Sequence, residues 1–110
     1  MPVPTTTDAS FAQDVLAAGT PVLVEFTADW CPPCRMVAPV LDQIAADEAS
    51  RLKIVSLDVD ANPETTRRYR VMSMPTLALF VDGQVVSQTV GARPRAAILR
   101  ELEPHLAARI

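Results

Sequence analysis

At 110 residues and 49% hydrophobic content, the chain is long enough for one domain with a real core and too short for two ordinary ones, so a single domain over residues 1–110 is expected. The formal charge of -3 lies in no long run of either sign, which leaves no basic footprint for nucleic acid. The opening MPVPTTTDAS has neither a basic nor an apolar leader region, and no later apolar run approaches the roughly 18 residues of a membrane span, so a soluble, cytoplasmic protein is expected.

In chain order, VPT at residues 3–5 offers a short edge strand. Thr6, Thr7 and Asp8 supply N-cap candidates for a helix of about three turns carrying Phe11, Val15 and Leu16 and closed by Gly19. After Pro21, the run VLVEFTA is continuous rather than alternating, which suits a strand covered on both faces. It leads into DWCPPC, which holds both cysteines of the chain. From Pro33 to about Ala49, Val37, Val40, Leu41 and Ile44 recur at helical spacing, with Pro33 acceptable in the first turn and Pro39 predicted to kink the interior. RLKIVSLDVD reads as a second buried strand. NPETTRRYR reads as a short helix with Asn62 as N-cap and Pro63 at its first position. TLALFV and QVVSQTV flank Asp82-Gly83 as a hairpin, and Pro94 opens a last helix with Ile98, Leu99, Leu102 and Leu106. A parallel unit followed by a hairpin implies an α/β protein, a mixed sheet with helices on both faces.

The cysteine pair calls for a chemical explanation. Cys31 falls between a buried strand and a helix N-terminus, where free N-H groups and the positive end of the dipole favour a thiolate. Cys34 lies one turn on, so the sulfurs face each other, with Cys31 expected at the surface and Cys34 more buried. That geometry suits thiol-disulfide exchange. A purely structural bridge closing so small a loop would constrain the unfolded chain little. Zinc finds only His105 as a further soft ligand, and haem attachment requires a histidine where Arg35 stands.

WCxPC after an apolar strand, Pro39 five residues past Cys34, DVDANP, MPT before a strand, Asp82-Gly83 in a hairpin and Gly91 closing the last strand together resemble the thioredoxin family over essentially the whole chain. The resemblance implies the thioredoxin fold: a five-stranded mixed sheet, order 1-3-2-4-5, flanked by four helices. It implies a protein-disulfide reductase in which Cys31 attacks a substrate disulfide and Cys34 resolves the mixed disulfide. It further implies protein substrates carrying disulfides, an NADPH-dependent thioredoxin reductase as electron donor and no cofactor held by the chain; no metal and a monomeric state are expected beside it. An oxidant or isomerase, or a reductant dedicated to one partner, is the alternative enzyme reading; a non-catalytic module using the same surface is the alternative outside catalysis.

Glu25 interrupts the apolar VLVEF, and a carboxylate buried there without a partner should stay protonated near neutral pH, which makes it an acid-base candidate. The competing reading is an edge position in solvent. The family usually has an aspartate here, thought to move a proton for Cys34 through water, with a lysine nearby. The matching position is Ser56, and Lys53, three residues away on a strand, points to the other face. Met74-Pro75-Thr76 matches the segment in which the family has a cis-proline facing the disulfide. By that likeness Trp30, Pro32, Pro33, Met74, Pro75 and Gly91 form an apolar docking surface, although Met74 equally suits core packing. Pro32 departs from the usual Gly-Pro pair and removes an N-H. Thr27 departs from a common aromatic. Arg35, Asp29 and Asp60 belong to the solvated rim, and His105 to the surface.

Overall fold

A computed structural model describes residues 2–107. Eight elements follow one another: α1 (Ala12–Leu16), β1 (Val22–Thr27), α2 (Pro32–Asp47), β2 (Lys53–Asp58), α3 (Pro63–Arg68), β3 (Thr76–Val81), β4 (Gln84–Val90) and α4 (Arg95–Ala107). The strands form one sheet in the order β2-β1-β3-β4, parallel between β1 and β2 and antiparallel elsewhere. This is the thioredoxin arrangement.

The expected fifth strand at residues 3–5 shrinks to one parallel bridge, Thr5 to Ser56, so the sheet has four strands. Prolines at positions 2 and 4 withhold two donors, and pairing is confined to Ser56 N-H on Pro4 O (2.9 Å) and Thr6 N-H on Ser56 O (2.8 Å). The segment still lies outside β2, as the expected order requires.

Alternation along β1 sorts the core. Val22, Val24 and Phe26 join Phe11, Val15 and Phe80 on one face, while Leu23 joins Val37, Leu41, Ile44, Ile98 and Leu102 on the other. Helices α1 and α3 thus cover one side, and α2 and α4 the other. Phe11, Tyr69 and Phe80 pack as a ring trio with centroids 5.1 to 5.6 Å apart. The Asp82-Gly83 turn has both residues at positive φ (52° and 79°), the mirror-image turn that matches strand twist.

The first helix is shorter than three turns. Thr7 and Ser10 exchange reciprocal side-chain to N-H bonds (both 3.1 Å) that open the first turn, and the helix then winds wide, with Ala17 N-H reaching Ala12 O (2.8 Å). Asp8 does not serve this helix. Its carboxylate accepts from Glu64 N-H (3.2 Å) and Thr65 N-H (2.8 Å), capping α3, while Asn62, the expected cap, uses its side chain on Asp8 N-H and Asp58 O.

Candidate active site

Cys31 is the N-cap of α2, and its Sγ accepts from Cys34 N-H at 3.3 Å. Pro32 and Pro33 occupy the first two helical positions, where a missing N-H costs no internal bond. With both amides absent, the Cys34 N-H is the first-turn donor that serves the sulfur. The cysteines form a disulfide with Cα atoms 5.3 Å apart. Contrary to expectation, Cys31 is no more exposed than Cys34 (2% against 3%). Its side chain belongs to the α1/α3-side core cluster, against which Met74 packs, and its Sγ lies 3.6 Å from Met74 O.

The Met74-Pro75 peptide is cis, and Gly91 N-H donates to Pro75 O (2.8 Å), tying the end of β4 to the proline loop. Gly91 sits at φ 101°, a conformation that glycine adopts without penalty. Trp30 stands 61% exposed beside the disulfide, with its Nε1-H donating to Asp60 (2.8 Å). Pro32 and Pro33 are exposed, Met74 and Gly91 half-buried, and Pro75 buried. Met74 also walls a groove of about 340 Å³ with Asp60, Arg67 and Met72. Asp29 and Arg35 lie on the exposed rim, where the guanidinium donates to Asp29 O (2.7 Å).

Glu25 is buried in β1 at 4% exposure, which removes the edge-position reading, and its Oε2 has no hydrogen-bond partner among the described residues. Burial pushes its carboxyl up to about 7, and the Asp42 carboxylate adds to the rise. Ser56 is its partner on β2, and Lys53 turns away, its Nζ on Asp14 O (3.4 Å). Glu25, Cys34 and Asp42 line one cavity of about 330 Å³, wide enough for water. Asp42 escaped the sequence reading. The signal was its spacing: Cys34, Ala38 and Asp42 stand at i, i+4 and i+8 on one face of α2, and all three line that cavity. Among the described residues no group of three metal-ligating side chains comes together, and His105 is half-buried on α4.

A vicinal cysteine pair at the head of a helix, facing a cis-proline on a mixed α/β sheet, defines a thiol-disulfide oxidoreductase. The thioredoxin family model matches residues 2–104. The chain is 60% identical over 96 residues to the thioredoxin of Mycobacterium bovis, covering 87% of this chain and 83% of that one. It is 48% identical over 100 residues to thioredoxin 1 of Synechococcus elongatus, covering 91% and 94%. It also matches, at 54% identity over 96 residues, a bifunctional thioredoxin reductase/thioredoxin of Mycobacterium leprae, covering 87% of this chain and 21% of that protein. The chain belongs to the thioredoxin family and is a thioredoxin-type protein-disulfide reductase.

Proposed function

We propose that the 110-residue chain works as one domain in which Cys31 is the nucleophile and Cys34 the resolving thiol. The Cys31 thiolate attacks a substrate disulfide, forming a mixed disulfide and releasing one substrate thiolate. Cys34 then gives its proton to the Glu25 carboxylate and attacks the Cys31 sulfur. The second substrate thiolate leaves, and Cys31-Cys34 is left oxidised. A carboxyl near 7 is matched to taking and returning that proton at neutral pH. The observation that carries the division of roles is the N-cap position of Cys31, with the Cys34 N-H aimed at its sulfur. Trp30, Pro32, Pro33, Met74, Pro75 and Gly91 receive the substrate around the disulfide.

Electrons reach the pair from an NADPH-dependent thioredoxin reductase. The relative whose name joins the two activities in one chain supports this pairing. The protein acts in the cytoplasm as a monomer; no helix among the described residues is long and apolar enough to cross a membrane.

Replacing Cys34 with Ser should trap protein substrates on Cys31 as mixed disulfides that survive until a thiol is added. Complexes that persist when both cysteines are replaced would instead mark a binding module. Titration of the pair in dithiol-disulfide buffers, followed by Trp30 fluorescence, should give a reduction potential near the thioredoxin value of about -270 mV. A potential higher by about 60 mV, a hundredfold bias toward the dithiol at 29.6 mV per tenfold, would assign the protein to oxidants or isomerases.

A further inference from the structure

Asp42 is half-buried on α2, and the N-terminal segment holds it: Val3 N-H donates to its Oδ1 at 3.1 Å. The same segment is pinned to Ser56, the strand neighbour of Glu25, through Pro4 O and Thr6 N-H. Pro2, Val3 and Thr5 therefore wall the cavity that Glu25, Cys34 and Asp42 share. The Val3 side chain packs on the α2/α4-side core, which fixes the strap in place.

We propose that Asp42 is a positioning residue for the exchange reaction: an anion fixed by the N-terminal strap, which acts on Cys34 through Glu25 by controlling how firmly Glu25 holds its proton. The inference rests on the acid-base role proposed for Glu25.

Among the described residues, the charges around Glu25 leave Asp42 little opposition. From α2 come Asp42 and Arg35, and from the loop after β1 comes Asp29; Arg35 lies at the rim and donates to Asp29 O. The strap contributes no charged side chain to the wall. β2 contributes Ser56, β3 pairs Leu77 with Glu25, and Lys53 extends toward Asp14 on the other side of the sheet. A fixed negative charge beside a desolvated carboxyl favours its protonated form. In the oxidised protein Glu25 then keeps its proton to a higher pH than burial alone would give, and in the mixed disulfide the ionised carboxylate that accepts the Cys34 proton forms only at a correspondingly higher pH.

The test uses the full-length protein with Cys31 joined to a chromophoric aryl thiol, and follows thiol release by Cys34 from pH 5 to 9. Wild type, Asp42→Asn, Asp42→Glu, Glu25→Gln and the Asp42→Asn/Glu25→Gln pair are compared. Asparagine keeps the acceptor for Val3 N-H, and glutamate keeps the charge. Asp42→Asn should weaken proton binding at Glu25 by about threefold or more and move the rate profile to lower pH. Carbon-13 titration of the Glu25 carboxyl in the oxidised protein should move with it. Asp42→Glu should restore the wild-type profile, and Asp42→Asn should have no effect once Glu25 is Gln. An unmoved Glu25 titration in Asp42→Asn overturns the inference while leaving the role of Glu25 intact. A shift that persists in the double variant overturns it too, because Asp42 would then act on Cys34 directly. A profile unchanged by Glu25→Gln removes the role of Glu25, and the inference with it.

Discussion

Glu25 lowers the stability of the fold near neutral pH. Its carboxyl, at about 7 in the folded chain against an ordinary 4.5, retains a proton that the unfolded chain has released, so stability falls as pH rises through that window. The gap corresponds to roughly 3 kcal/mol of destabilisation, complete above pH 7 and absent below pH 4.5. Glu25→Gln should therefore stabilise the oxidised protein by about that much at pH 8 and by little at pH 4, read from urea midpoints at the two pH values. The raised carboxyl was legible in VLVEF, because a lone acid in a run covered on both faces is largely stripped of solvent. Its companion was not. Asp42 stands in line with Cys34 and Ala38, but its helix carries polar residues on the exposed face too, so the spacing did not single it out; the contact with Val3, 39 residues upstream, and the shared cavity show that it faces inward. The exposure expected for Cys31 failed for a similar reason: Met74, 43 residues downstream, covers the sulfur.

Short elements borrow their ends from distant residues. The start of α3 was readable from Asn62-Pro63, but the carboxylate that caps it arrives from Asp8, 56 residues upstream. Hydrogen bonds from Thr65 and Glu64 hold the Asp8 carboxyl below its usual range against the opposing pull of desolvation, with Arg67 adding to the effect. A depressed carboxyl stabilises fully above its unfolded value of 3.8 and loses that contribution as pH falls through the folded one. Asp8→Ala should lower the thermal midpoint at pH 7, and its difference from wild type should shrink below pH 3.8. Thermal scans by circular dichroism at both pH values would show it; an equal difference at both would exclude the charged cap. Long elements needed no such help. Apolar spacing, with Pro33 in the first turn, placed α2 from Pro33 to about Ala49 against Pro32–Asp47 in the structure, and the β3-β4 hairpin followed from Asp82-Gly83.

The whole molecule is a sheet with a separate core on each face, and the continuous apolar runs of β1 and β3 announce that design. Strands β1, β2 and β3 contribute to both cores, and α2 does so too, with Cys34 in one and Val37, Leu41 and Ile44 in the other. Phe80 meets both Phe11 and Tyr69 edge-on and is fully buried, so Phe80→Ala should cost about 3 to 5 kcal/mol in urea unfolding. Ion pairs across the surface, Arg51 between Glu48 and Glu103 and Arg95 with Asp47, link the C-terminal end of α2 and the turn after it to α4. They lie in half-buried to exposed positions at the surface and set orientation more than stability. The resemblance carried the strand order. What it left out was the weakness of the outermost strand, which follows from the two prolines at positions 2 and 4.

That thin outer segment matters to anyone who handles the protein. Within the first eight residues, Val3 holds Asp42, residues 4 to 6 clasp Ser56, and Asp8 caps the helix behind the loop whose Asp60 receives Trp30. An affinity tag, a dye or a fused domain joined at the amino end is therefore attached to the segment that walls the Glu25-Cys34 cavity. The same addition after α4 loads a helix that contributes no residue to the wall of the Glu25-Cys34 cavity, and is the better place for a handle.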